Sequence, residues 1–180
     1  MRITLIHSVV FVALVCAYSS IYSAVKHIIF DVGNVLFTYD PQTIKNAYKD
    51  PTIRPFHPIK TMHTFVWSLA NKKDAEGNKL YTLYILSNWS SRAFNLLKSH
   101  YPEFVALFDG VVISGQVHMS KPDVAIYEHL LATYNLNPAH CVFFDDQQVN
   151  IDAAEQCGIM GVLFNEAHMK TGEMPQVVIA

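Results

Sequence analysis

The order of segments in this chain predicts an α/β fold, a three-layer sandwich with a mostly parallel sheet and helices on both faces. Short runs of apolar, β-type residues alternate with longer segments in which apolar residues recur at helical spacing. Three of the runs are followed directly by polar or acidic residues, as expected where parallel strands end along one edge of a sheet. A chain of 180 residues provides one domain of this kind.

The first elements follow from local patterns. An apolar run predicts the first core strand at residues 28–30. Asp40 before Pro41 is typical of a helix N-cap followed by proline in the first turn, and it predicts a short helix to about residue 49. Residues 50–58 contain too many prolines for a helix.

The rest of the chain continues the alternation. Residues 59–72 have helical apolar spacing and form the crossover that a parallel strand at 80–86 requires. The remaining predicted elements are a helix at 91–100, a strand at 111–114, a helix at 122–134, a strand at 142–144, a helix at 150–157 and a strand at 160–164.

Four short polar motifs lie at or near the ends of these runs. They are Asp31-Val-Gly33-Asn34-Val-Leu36, Ser87-Asn88, Lys121-Pro122 and Asp145-Asp146. Because ligands bind beyond the carboxyl ends of the strands in an open parallel sheet, we expect these residues to converge. Each motif alone has a structural explanation, such as a turn, a solvated loop lysine or a helix N-cap. Their combination favours a phosphoryl-transfer site.

The acidic residues fit a nucleophile and a metal site. A carboxylate can attack a phosphoryl group and form an aspartyl-phosphate, and Asp31 is placed for this role. Mg²⁺ needs one or two carboxylates besides the substrate phosphate. Asp31 and Asp146 provide them, with Asp145 as an outer or water-bridged partner.

The other two motifs supply groups that bind phosphate. The Ser87 hydroxyl and the main-chain N–H of Asn88 can donate hydrogen bonds to phosphate oxygens, and Lys121 is a compact cation suited to phosphate charge. These assignments give Asp31 and Lys121 catalytic roles. Ser87, Asn88 and Lys121 are the predicted substrate-binding residues.

In residue type and order, the four motifs resemble those of the haloacid dehalogenase-like (HAD) hydrolase superfamily over residues 25–165. The resemblance implies a Rossmann-like fold and adds the Gly33 carbonyl as a metal ligand. It also implies Mg²⁺-dependent hydrolysis of a phosphomonoester through an aspartyl-phosphate. A branch that includes sugar-phosphate phosphatases has a similar Asp-x-Gly-Asn-Val motif, so the expected substrate is a small phosphorylated metabolite such as a sugar phosphate. Dehalogenation is the weaker interpretation.

Two departures from that family lead to an alternative. Most of its phosphatases carry a general acid/base Asp where this chain has Gly33, so reduced activity is expected here. The segment between Asp31 and Ser87 is also short, which leaves only a cap remnant at residues 41–58. The alternative function is therefore a catalytically impaired HAD-fold binding or scaffold protein at a membrane.

The N-terminal segment is additional to the core. Residues 3–25 contain no Asp, Glu, Lys or Arg, and they resemble a secretory signal as well as a segment of about 20 residues that spans a bilayer. We expect residues 1–24 to be a signal peptide or membrane anchor of an exported or membrane-associated protein. A buried helix in a cytoplasmic protein is the alternative. Residues 166–180 form a tail without a motif, and a net charge of −2 argues against nucleic acid as a partner.

Overall fold

The computed structural model describes residues 25–165; the predicted leader (1–24) and tail (166–180) lie outside the described residues. The strands of the main sheet are β1 (His27–Phe30), β4 (Thr82–Ser87), β5 (Gly110–Ile113), β6 (Cys141–Asp145) and β7 (Met160–Leu163). All pair in parallel, in the order β5-β4-β1-β6-β7. The predicted α/β fold class with a mostly parallel sheet is confirmed.

The helices of the described residues pack on both faces of this sheet. They are Pro41–Ala47, Lys60–Asn71, Ser91–His100, Pro102–Val105, Ser114–Val117, Val124–Tyr134 and Gln148–Gln156. Alternate residues of β1 point to opposite faces: Ile28 and Phe30 belong to the core beneath Lys60–Asn71 and Ser91–His100, whereas Ile29 belongs to the core beneath Val124–Tyr134 and Gln148–Gln156. The result is the three-layer arrangement.

Side-chain caps set several helix starts. The Asp40 carboxylate accepts a hydrogen bond from Thr43 N at 2.6 Å, as the sequence predicts for an N-cap before Pro41. The helix predicted from residue 122 starts at Val124 instead, because Asp123 is its N-cap and accepts from Ala125 N at 3.0 Å.

A short antiparallel hairpin was not predicted. Its strands are β2 (Phe37–Tyr39) and β3 (Phe56–Pro58), and they flank the helix Pro41–Ala47. Tyr101 anchors it to the core by donating a hydrogen bond from its hydroxyl to the Phe56 carbonyl at 2.8 Å. The hairpin begins six residues after Asp31, so it lies beside the predicted site.

Between residues 25 and 165, no helix has the length and apolar character needed to cross a membrane.

Candidate phosphoryl-transfer site

The site lies where the strand order of the sheet reverses direction. From β1 the chain crosses to β4 on one side, and from β6 it crosses to β7 on the other, although β1 and β6 are neighbours. Ligand sites of open α/β sheets form at such a switch point. Asp31 follows β1 and Asp145 ends β6, so both carboxylates reach it. The Asp31 N–H donates to the Phe144 carbonyl at 2.9 Å, which fixes the first motif against β6.

A buried lysine joins two of the acidic residues. Lys121 Nζ lies 2.9 Å from Asp31 Oδ1 and 2.6 Å from Asp145 Oδ2. Lys121 is 4% exposed, Asp31 is 7% exposed and Asp145 is fully buried. Because charges taken out of water need close partners, these three groups depend on one another for their charged states.

Asp145 has no free oxygen for a ligand. Its Oδ2 accepts from Lys121, and its Oδ1 accepts from the Gln147 N–H at 2.8 Å and from Asn150 Nδ2 at 2.9 Å. Asn150 is held in turn by the Tyr127 hydroxyl, which donates to the Asn150 carbonyl at 2.8 Å. This carboxylate therefore acts as a fixed counter-charge that positions Lys121.

Asp146 differs from its neighbour. Its Oδ2 accepts a hydrogen bond from Asn34 Nδ2 at 3.1 Å, while its Oδ1 is buried and has no hydrogen-bond partner among the described residues. Asn34 has a left-handed backbone, with φ at 56°, a conformation that asparagine tolerates better than most residues. A buried carboxylate oxygen without a partner is costly, and a cation would satisfy it.

Asp31 and Asp146 can offer oxygen ligands to a divalent metal ion, and Asp145 adds negative charge beside them. One carboxylate oxygen from each of Asp31, Asp145 and Asp146 lies within 4.8 Å of the others. Against these three carboxylates, the described lining of the cleft contains a single ammonium group, Lys121. The excess negative charge, the oxygen donors and the unpartnered Asp146 Oδ1 all suit Mg²⁺.

The environment of Asp31 shifts its protonation. Burial raises the pKa of Asp31 above its ordinary value, the Lys121 ammonium opposes that shift, and the nearby Asp145 carboxylate adds to it. The Ser87 hydroxyl is close enough to favour the charged form of Asp31, although it makes no hydrogen bond of normal geometry. A bound cation would add to the effect of Lys121 and favour the carboxylate.

The two residues of the second motif have different roles: the Ser87 hydroxyl is free to bind a substrate, and the Asn88 side chain holds the third motif in place. Ser87 is fully buried at the end of β4, and its hydroxyl has no partner within residues 25–165. Asn88 uses its side chain to hold the third motif: Nδ2 donates to the Lys121 carbonyl and Oδ1 accepts from the Lys121 N–H, both at 2.8 Å. The sequence indicated only a main-chain role for Asn88.

The predicted residues surround a small cleft of about 90 Å³. Of the residues predicted for the site, Asp31, Gly33, Ser87, Asn88, Lys121 and Asp146 line it. Asp145 lies behind Lys121, outside the lining. The volume is well below the ~300–1,000 Å³ of pockets that enclose a whole small ligand. The cleft therefore holds a phosphoryl-sized group, and the rest of a substrate would lie outside it.

Two aromatic residues that line the cleft were not predicted from the sequence. Tyr39 ends β2, and Trp89 follows Asn88. Their rings meet edge to face, with centroids 5.1 Å apart, and they border Gly33. The only sequence signal was the position of Trp89 directly after the second motif. Tyr39 reaches the cleft through the hairpin, which no local pattern indicated.

Sequence comparison with known proteins identifies a matching family model and several curated relatives. A family model described as a haloacid dehalogenase-like hydrolase matches residues 73–158, which contain the second, third and fourth motifs. The sesquiterpene phosphatase astK of Aspergillus oryzae is 31% identical over 96 residues, covering 53% of this chain and 48% of that protein. The drimenol cyclase drtB of Aspergillus calidoustus is 33% identical over 103 residues, covering 57% of this chain and 19% of that protein. The chain thus spans about half the length, or less, of these curated relatives.

A solved structure shares the fold. A HAD family enzyme of Bacteroides thetaiotaomicron, crystallised with magnesium and inorganic phosphate, matches with a TM-score of 0.58 at 18% identity, over 79% of this chain and 95% of that one. This chain is thus similar to haloacid dehalogenase-like hydrolases over residues 73–158, and it shares the fold of the Bacteroides thetaiotaomicron enzyme.

Proposed function

We propose that this chain is a Mg²⁺-dependent phosphomonoester hydrolase that works through an aspartyl-phosphate on Asp31. The observation that carries the proposal is the buried arrangement of Asp31 and Lys121, 2.9 Å apart, beside the unpartnered oxygen of Asp146. This arrangement combines a nucleophile, a cation and an incomplete metal site within one cleft. The Aspergillus oryzae relative, named as a phosphatase, supports the same reaction class.

In the proposed reaction, a carboxylate oxygen of Asp31 attacks the phosphorus and the bond to the leaving-group oxygen breaks. Lys121 stabilises charge on the phosphoryl oxygens, and the free Ser87 hydroxyl donates a hydrogen bond to one of them. Water then attacks the aspartyl-phosphate, which releases inorganic phosphate and restores the carboxylate. Asp31, Asp146 and the Gly33 carbonyl would hold Mg²⁺, which would supply charge neutralisation when bound.

The substrate class follows from the size of the cleft. Because the cleft holds little more than a phosphoryl group, recognition of the rest of the substrate depends on the residues at its rim. We propose small phosphomonoesters as substrates. The resemblance of the first motif to that of sugar-phosphate phosphatases favours sugar phosphates. The name of the Aspergillus oryzae relative, a sesquiterpene phosphatase, favours terpenyl phosphates.

A non-catalytic binding or scaffold role is the second candidate. One observation favours it: Gly33 provides no carboxylate at the position that most related phosphatases use for proton transfer. The buried charges oppose it. A buried ion pair can often be replaced by apolar residues without loss of stability. An unused site would therefore have no need to keep Lys121 and Asp145 charged and buried.

The test is a phosphatase screen on the purified full-length chain, with Mg²⁺ or with a chelator, against p-nitrophenyl phosphate, glucose phosphates and farnesyl phosphate. We expect turnover that requires Mg²⁺ and is abolished by Asp31→Asn. The matched control is Asp152→Asn, the same change on an exposed helix position, which should keep wild-type turnover. Absence of turnover on every substrate, or full turnover by Asp31→Asn, would contradict the proposal.

A further inference from the structure

We propose that the Tyr39 hydroxyl, supported by the Trp89 indole N–H, donates a hydrogen bond to the leaving-group oxygen of the substrate. This inference rests on the proposed phosphatase function and identifies a residue that stabilises departure of the alcohol. It follows from the space around Gly33 and from the hydrogen-bonding state of the cleft.

The first observation is where the two groups lie. A Cβ atom added to Gly33 would be 2.9 Å from Tyr39 Cε1, 3.4 Å from the Tyr39 hydroxyl and 3.4 Å from Trp89 Nε1. The Tyr39 ring therefore occupies the space that a side chain of residue 33 would need, and two hydrogen-bond donors lie in contact with that space. Residue 33 is only two positions after Asp31, so these donors lie beside the start of the nucleophile loop.

The second observation is that both donors are free. Within residues 25–165, neither the Tyr39 hydroxyl nor Trp89 Nε1 makes a hydrogen bond. Three other polar side chains at the cleft are engaged: Lys121 with two carboxylates, Asn88 with the Lys121 main chain, and Asn150 with Asp145. The Ser87 hydroxyl and Asp146 Oδ1 also lack partners among the described residues, and they are assigned above to phosphate and metal. A phenol and an indole that face a polar cleft without partners are available to a substrate.

The rings are held in place before any substrate binds. Tyr39 is paired with Phe56 across the hairpin, and its ring contacts Trp89 edge to face at 5.1 Å and 76°. Trp89 is 8% exposed and stacks on the fully buried Phe56, with centroids 5.4 Å apart. Donors fixed in this way need little reorganisation when charge develops on the substrate.

Burial separates the roles of the donors. Ser87 and Lys121 are buried beside Asp31, where the phosphoryl oxygens are expected, whereas Tyr39 is half-buried. In an in-line displacement the leaving oxygen lies on the far side of phosphorus from the nucleophile. Because Asp31 is buried and Tyr39 is half-buried, we infer that this side is the more exposed side of the cleft, which Tyr39 lines.

The proposed hydrogen bond from Tyr39 stabilises the leaving oxygen, and the tyrosine keeps its proton. When the phosphorus–oxygen bond breaks, its electron pair moves to the leaving oxygen, which is stabilised by the Tyr39 hydrogen bond. A water molecule then protonates that oxygen, and the resulting hydroxide attacks the aspartyl-phosphate. The products are the alcohol, inorganic phosphate and the restored Asp31 carboxylate. An alkoxide is a far more basic leaving group than an activated phenolate, because its charge stays on the oxygen, so its departure depends more on the donor.

The test compares two substrates in the full-length protein with Mg²⁺. Tyr39→Phe keeps the ring and removes only the hydroxyl. We expect its kcat on butyl phosphate to fall at least about tenfold, with little change on p-nitrophenyl phosphate. The loss should stay below the ~10²–10³-fold effect of an enclosed oxyanion donor, because the rim is open to water. Tyr48→Phe is the matched control, since Tyr48 stacks on Arg92 away from the cleft lining and should give wild-type values on both substrates.

A binding measurement gives a readout that does not depend on turnover. Vanadate can carry an oxygen at the position of the leaving group, whereas beryllium trifluoride bound to Asp31 mimics the aspartyl-phosphate and has no oxygen there. Calorimetry should show weaker vanadate binding to Tyr39→Phe and unchanged binding of beryllium trifluoride. Equal losses on both substrates, or no loss on either, would overturn the role of Tyr39 and leave the phosphatase function standing. An inactive wild type would instead overturn the phosphatase function, and this inference with it.

Discussion

The side chain of Asn88 and the main chain of Lys121 exchange two hydrogen bonds, each 2.8 Å long. This contact ties the end of β4 to the loop that carries the buried ammonium. Lys121 reaches two carboxylates only if its backbone is placed correctly, so Asn88 acts as a positioning residue for the central cation of the site.

Replacing Asn88 therefore tests how Lys121 is positioned. Asn88→Ala removes both hydrogen bonds and should lower kcat about tenfold, with a loss of about 1 kcal/mol in the free energy of unfolding. Enzyme assays and thermal unfolding measure the two effects. Asn95→Ala, at an exposed position of the helix Ser91–His100, is the control and should keep wild-type kcat. Wild-type turnover in Asn88→Ala would show that the loop holds Lys121 without this contact.

The two adjacent aspartates should respond differently to substitution. Of the three described aspartates near the metal site, only Asp146 has a buried oxygen without a partner. Asp146→Asn removes the charge of that carboxylate, so it should raise the Mg²⁺ concentration needed for half-maximal activity. Asp145→Asn leaves Lys121 with one fewer counter-charge and should destabilise the fold by about 3–5 kcal/mol. Mg²⁺ titration and chemical unfolding separate the two. The reverse pattern would assign the direct metal ligand to Asp145.

Adding an acid/base carboxylate at residue 33 meets a steric barrier. Gly33 does not have a left-handed backbone, so the constraint is space: the Tyr39 ring lies 2.9 Å from the position of a new Cβ atom. Gly33→Asp alone should lower the melting temperature and give no increase in kcat. Gly33→Asp combined with Tyr39→Ala should have a higher kcat on alkyl phosphates than Tyr39→Ala alone, because it has room for the carboxylate. An equal kcat in these two variants would contradict this expectation.

His63 should make stability depend on pH. Burial lowers its pKa from 6.5 to about 4, with the Leu36 carbonyl acting in the opposite direction. The unfolded chain then binds a proton at a higher pH than the folded one, so stability is retained above pH 6.5 and lost as the pH falls toward 4. His63→Phe preserves stacking on Phe104 and should flatten this part of the stability curve. The free energies of unfolding of the two proteins should change with pH in parallel at pH 7–8. An unchanged slope between pH 6.5 and 4 in His63→Phe would exclude His63 as the cause.

The sequence predicted the parts of the site that follow buried strands. Asp31, Ser87 and Asp145 each come directly at or after an apolar run, and parallel strands necessarily bring those ends together. Lys121 was less clear, because it lies in a loop and only the order of the motifs pointed to it. Its distance to Asp31 became evident only in the structure.

The hairpin and its aromatic residues could not be predicted in the same way. β2 and β3 have three residues each, and one of them contains a proline, so neither has enough length for a periodic pattern. Their pairing joins segments separated by the helix Pro41–Ala47. The position of Tyr39 beside Gly33 depends on that pairing, and so does the availability of its hydroxyl. Such tertiary contacts leave no trace in local spacing.

The most direct test of the central claim is detection of the phosphorylated enzyme. Full-length protein is mixed with Mg²⁺ and a substrate labelled in its phosphoryl group, quenched in acid within milliseconds to seconds, and digested for peptide mapping. Label should appear on the peptide that contains Asp31, be released by hydroxylamine as an acyl phosphate is, and be absent from Asp31→Asn. Turnover by the wild type with no label on Asp31, or with label on another residue, would contradict the proposed mechanism.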